Sequence, residues 1–442
     1  MSKAPAILLL IVIIGFYYVG YSHLYHVITQ VQAQEPGAFA QVSALLFQYS
    51  YQIMETGLVV IALSLFSIFS LVFLMKKHAR GVLFWSVMAF TVLMFAVSAL
   101  LLVFAPIIGI FMLIPSVIFG FIIAFRRERV RLAGIFLKMA AEGLYREKQI
   151  LLISVVFGIL AIATGVADLG VVHLVWGMLG NGIVDYAVLF LVFLVSAWIS
   201  YSFLYLTEAV VIRIIHQWYR NPNKDVATLA DGVRTAPDRS GPILILSFVI
   251  ALLAALRRTI DAARHREGGR NAGAIIFYII GSILASIAQG ILEFVTYFTL
   301  PAIVIEEMGF RDGVKRSARL VWKHLIDVIL AGSGVGFALL VFSIPIFLLF
   351  GSAGFLIGVL MFPAYGFWAG VITGIAFLIF GTVPIYVVMH FMYAIYKTIL
   401  YEYALDEENG FKGASMLPPE VKKEFGRLAG SGAKRKMREP KF

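Results

Sequence analysis

The chain of 442 residues is 61% hydrophobic and 14% charged, carries a net charge of +11 and contains no cysteine. This composition excludes a soluble globular domain; several apolar runs reach the roughly 20 residues of a bilayer-crossing helix, which predicts a polytopic all-α membrane protein. Without cysteine there are no disulfides, thiolate nucleophiles or sulfur-ligated metals. The basic residues cluster in short loops and the tail, as the positive-inside bias expects, so no nucleic-acid partner is predicted.

In chain order, a first span from Pro5 to Tyr25 ends in the boundary aromatics Tyr17, Tyr18, Tyr21 and Tyr25. It is too long for a typical signal peptide and is expected to be retained. Spans over 52–75 and 82–104 flank Lys76, Lys77 and Arg80, and a fourth ends at Arg126, Arg127, Arg129 and Arg131. Both basic clusters then fall on the cytoplasmic side together with the N-terminus, and residues 1–126 form a four-helix transmembrane portion.

Residues 127–409 divide into three units, about 129–219, 225–300 and 311–409, each an amphipathic helix followed by an apolar hairpin. In the first, Val130, Gly134, Leu137, Ala141 and Leu144 share one side and Arg131, Lys138, Glu142 and Arg146 the other, with Glu142 and Arg146 spaced for an i,i+4 pair. Such helices are expected to lie in the interface rather than across it. The middle unit is weaker, because Gly232 and Pro237 interrupt its first helix. In the third, Arg311, Lys315, Arg319 and Lys323 form a stripe that, with Arg316, is expected to contact lipid headgroups.

The count is ten crossings, or eight if 242–256 and 272–300 stay on the cytoplasmic side, because a full crossing turns Arg257, Arg258, Arg264, Arg266 and Arg270 outward. Residues 351–370, broken by glycine and proline, are expected to be re-entrant or interfacial. The basic stretch 410–442 is expected to be a cytoplasmic tail drawn to anionic lipid.

The most distinctive stretch is YFTLPAIVIEEMG at 297–309, followed by GVKRSARLVWK at 313–323; FLKMAAEGLYREKQILLISVV at 136–156 and YKTILYEYAL at 396–405 accompany it. On these motifs the chain, over about 129–409, resembles a family of uncharacterised prokaryotic multi-pass membrane proteins. That resemblance implies the architecture and no reaction or ligand. Within the joint, Pro301 is the expected hinge.

Ionisable groups inside spans are costly and are the default functional candidates. They fall at two levels. Glu208, Gln289, Glu293 and His390 form a candidate intramembrane polar site, in which Glu293 and His390 are expected to approach one another. Asp168, His173 and Asp185 form a candidate outer cluster around one hairpin turn. The plainer alternative for each is an interhelical hydrogen bond or a snorkelling side chain. No catalytic motif is present, and no enzyme activity, cofactor or metal is expected; His23 and His26 stand at i,i+3 and read as interfacial polar residues. The leading functional reading is a membrane scaffold or accessory subunit that contacts anionic inner-leaflet lipid and other membrane proteins. The alternative is a transporter or lipid- or ion-handling channel working around Glu293 and His390 at the cell membrane.

Overall fold

A computed structural model describes residues 4–34, 36, 37, 40, 50–104, 106–125, 127–178, 183–221, 229–266, 272–361 and 366–409. The basic tail at 410–442 lies outside the described residues, as do Glu267, Arg270 and residues 362–365. In chain order the helices are α1 Ala4–Gln34, α2 Ser50–Phe104, α3 Pro106–Phe125, α4 Arg127–Arg146, α5 Gln149–Met178, α6 Ile183–Arg220 and α7 Leu229–Asp238. They continue as α8 Ser240–Arg266, α9 Ala272–Val295, α10 Thr299–Ile305, α11 Phe310–Lys323, α12 Leu325–Ile329, α13 Gly336–Met361 and α14 Gly366–Glu408. The fold is that of a polytopic helical membrane protein. Among the described residues seven helices are long and apolar enough to cross a bilayer, and Ser116–Phe125 and Gly370–Ile379 are shorter apolar helices.

The N-terminal portion departs from the expected four helices. Residues 50–104 form one continuous helix of 55 residues, about 80 Å long at 1.5 Å per residue and far longer than one crossing. The stretch Lys76-Lys77-His78-Ala79-Arg80, where a reversal was expected, contains no proline and only Gly81 follows it. Nothing local therefore stops the helix, and charge alone is no helix breaker.

Helix α4 also departs from expectation. Most of its 20 residues are buried, on more than the one face that its amphipathic pattern marks. It packs between α2 and α14, and Val130, Leu137, Ala141 and Leu144 belong to the main core. Gly134 allows this, since a Cβ there would stand 2.9 Å from Arg80 Cα. The Glu142–Arg146 pair forms at 2.9 Å. The three amphipathic helices share an order in the chain but not an environment: α11 buries Gly313, Ser317, Leu320 and Val321, and α7 buries only Gly232.

The joint is built differently from its sequence reading in one respect. Helix α9 ends at Val295, the chain turns over Thr296–Phe298, and α10 begins at Thr299. Pro301 sits in the first turn of α10, where a missing N–H costs nothing, so the break precedes the proline. Ser317 of α11 ties the break together: its hydroxyl donates to the Val295 carbonyl at 2.7 Å and accepts from the Phe298 N–H at 2.9 Å. A second irregularity follows at Leu330–Val335, where the chain adopts a π-helical turn before α13.

Residues 351–361 continue α13 as regular helix rather than re-entering. Its glycines admit α14 closely: a Cβ on Gly354 would lie 2.6 Å from Phe377 Cβ, and Thr373 donates to the Gly354 carbonyl at 2.8 Å. Helix α8 runs antiparallel to α6, joined by Ser202–Ser247 at 2.9 Å, and its Ser240–Ala263 stretch is long enough to span.

Candidate functional site

The charged side chains converge where the end of α14 meets α6, α10, α11, α12 and α4. Spacing on α14 explains the convergence. His390 and Lys397, seven residues apart, share a face, and both reach Glu208 of α6: Lys397 Nζ donates to Oε2 at 2.8 Å and His390 Nε2 lies 3.0 Å from Oε1. Glu402 and Asp406, four apart, face the next turns of α6. Glu402 takes His216 and Arg220, and Asp406 takes Arg220 at 2.7 Å and the Tyr219 hydroxyl at 3.1 Å. Glu208, Glu402 and Asp406 are all buried, where an unpaired carboxylate would cost several kcal/mol.

The remaining acids of α14 hold the joint. Glu408 accepts from Arg316 at 2.7 Å, and Arg316 also donates to Glu306 at 3.0 Å. The Tyr401 hydroxyl donates to Glu306 as well. Glu407 faces Lys323 at 3.8 Å and His324 at 3.9 Å. Beside them Arg129 of α4 donates to Asp327 at 2.9 Å. Burial opposes the charge on Arg129, but Asp327, Tyr403 and Glu407 together outweigh it, so its pKa is raised; Arg316 is raised likewise, burial being outweighed by its bonds to Glu408 and Glu306.

Above this layer the rings gather. His390 stacks on Phe157 of α5 at 6.2 Å and on Tyr386 at 6.4 Å. Tyr201 and Tyr205 of α6 stand 6.1 Å apart, and Tyr297 meets Tyr393 edge-on at 6.0 Å. Glu293 is exposed, accepts from Gln289 at 2.8 Å on its own helix, and lies within electrostatic reach of Tyr201, Tyr205 and Tyr393.

Residues 110–408 match the family model described as plasma-membrane choline transporter, about two-thirds of the chain. The chain belongs to this family. No individually curated protein matches it. The resemblance to an uncharacterised prokaryotic family is thereby overturned. The quoted motifs are parts of α4 and α5, of the joint and of the α14 end, and features that serve helix packing report architecture before lineage. The match ends with the acidic end of α14 and encloses the whole ionic layer, whereas α1 and α2 precede it.

Several expected site residues fall otherwise than the sequence suggested. Glu208 and His390 do come together, but the partner of His390 is Glu208 rather than Glu293, because the His390 face of α14 is turned to α6. Gln289 and Glu293 pair with each other. Of the outer cluster, His173 bonds His23 of α1 at 3.0 Å, Asp168 Oδ1 is buried without a hydrogen-bond partner among the described residues, and Asp185 stands in the first turn of α6. Arg311, Lys315 and Arg319 are exposed as a headgroup stripe requires. Arg316 is not part of that stripe: one residue on from Lys315 turns it about 100° toward Glu306 and Glu408, and Lys323 leans to Glu407. Sequence reading missed His216, Arg220, Lys397, Glu402 and Asp406 as a set. The available signal was the i,i+4 repetition of His216 with Arg220 and of Glu402 with Asp406, basic side chains on one helix end and acidic ones on the other.

Proposed function

We propose that the protein is a membrane transporter for a small organic cation of the choline class, rather than a scaffold. The observation that carries this reading is Glu293, an exposed carboxylate whose hydrogen-bond partner among the described residues is the neutral Gln289, set near tyrosines of two other helices. A quaternary ammonium has no N–H to donate, so it is recognised by negative charge and by aromatic faces, each ring contributing about 0.5–2 kcal/mol. Glu208 would serve as a fixed polar floor, because Lys397 and His390 already occupy its oxygens.

Movement has a physical basis in the two irregular turns. The break at Thr296–Phe298 begins directly after the helix that carries Glu293, and the π turn at Leu330–Val335 lies at the base of α13. Broken helices of this kind commonly line transporter sites, and access changes as one bundle of helices moves against another. The ionic layer would face the cytoplasm, with Arg311, Lys315 and Arg319 against anionic lipid.

The test is uptake of radiolabelled choline by proteoliposomes. Glu293→Gln should lower uptake at least ten-fold while the protein still elutes as the wild type does. Tyr201→Phe should retain most uptake and Tyr201→Leu should lose it, because the ring and not the hydroxyl meets the cation. Unchanged uptake in Glu293→Gln would sink this site.

A further inference from the structure

Away from the proposed transport site, α2 and α4 enclose a cleft of about 450 Å³ lined by Phe73, Lys76, Lys77, Lys138, Glu142 and Tyr145. Its lysines come from both helices. Its one carboxylate, Glu142, is held by Arg146 at 2.9 Å. Lys76 stands 4.5 Å above the Tyr145 ring, a contact that orients the ammonium and leaves its positive charge uncancelled. The cleft therefore presents excess positive charge in a recess.

A second observation says what kind of anion fits. Phe66, Phe69 and Phe73 are exposed at 62%, 56% and 59%. Their spacing places them on one face of α2, and the next positions on that face are Lys76 and Lys77. An apolar strip that ends on two lysines has the polarity of a phospholipid, with acyl chain on the rings and phosphate on the ammonium groups.

We propose that this cleft binds the phosphate-bearing headgroup of an anionic phospholipid whose acyl chain lies along Phe66, Phe69 and Phe73. The site joins α2, which precedes the matched residues, to α4, which lies within them. A bound lipid thus bridges the N-terminal addition and the family domain. It stands independently of the transport reading, since none of its residues belongs to the tyrosine site.

The test uses the full chain in detergent and reads its thermal midpoint during titration with short-chain phosphatidylglycerol, with phosphatidylcholine and with inorganic phosphate. Phosphatidylglycerol should raise the wild-type midpoint at concentrations where the other two do not. Lys76→Gln with Lys77→Gln should need roughly thirty-fold more of it, at about one headgroup interaction per lysine. Phe69→Gln should weaken it while leaving the lipid-free midpoint in place. If the double variant fails to fold, Lys77→Gln alone should show roughly a five-fold weakening. An unaltered response in the lysine variants, or an equal response to phosphatidylcholine, overturns the proposal. Inorganic phosphate reproducing the whole effect assigns the cleft to free anion and overturns the lipid.

Discussion

The seam between α1 and α5 and the layer where α14 meets α6 join helices by opposite means. The seam is neutral. A Cβ on Gly170 would overlap the Gly20 carbonyl, and one on Gly20 would overlap the Ala167 carbonyl, so the two backbones touch. Around that crossing Tyr17 bonds Thr164 at 2.8 Å, Tyr21 donates to the Ala163 carbonyl at 3.0 Å and His23 meets His173 at 3.0 Å. Between lipid-embedded helices apolar side chains gain little by leaving lipid, so close backbone contact and modest hydrogen bonds supply the attraction. The layer is ionic, and its carboxylates Glu208, Glu402 and Asp406 are buried. There each carboxylate depends on its partner, because a bare charge cannot be left behind. Many small contacts make the seam tolerant of single losses, while the layer is strong only when complete.

That contrast can be broken at several points. The largest effect is expected for Glu402→Ala, which strands His216 and half of the Arg220 pairing. The loss should be about 3–5 kcal/mol, read as a lowered unfolding midpoint in detergent, and a midpoint equal to wild type would show that the layer is no stronger than the seam. Gly170→Leu should cost less, about 1–3 kcal/mol, and act locally by wedging α1 away. With no native cysteine, spin labels on Tyr18→Cys of α1 and Leu169→Cys of α5, both exposed, report this directly, since their separation should lengthen with Gly170→Leu. Tyr17→Phe is the smallest change, deleting one hydroxyl bond for about 1 kcal/mol or less. If it matched Glu402→Ala, the seam would be as cooperative as the layer.

How legible these regions were in the sequence follows from how local their causes are. The joint was readable, because Pro301, Glu306, Glu307 and the basic α11 are neighbours in the chain. Even there the break fell five residues upstream, at Thr296, since Pro301 fits the first turn of a helix as easily as it ends one. Burial of α4 was illegible for another reason. Its charged residues lie at the rim, and its small residues, Gly134, Ala140, Ala141 and Gly143, let neighbours cover the rest. Amphipathic spacing cannot distinguish a helix on lipid from one whose polar edge faces a cleft.

Composition and periodicity by themselves determined that the chain is a helical membrane protein, which residues are costly to bury, and where the amphipathic helices fall along the chain. Those properties belong to single segments, and lipid acts on each segment alone. Only the tertiary structure decided that Glu208 answers His390 and Lys397, that Arg316 turns inward, and that residues 50–104 form one helix. Charges choose partners by distance in space, and His216 and Glu402 stand 186 residues apart in the chain.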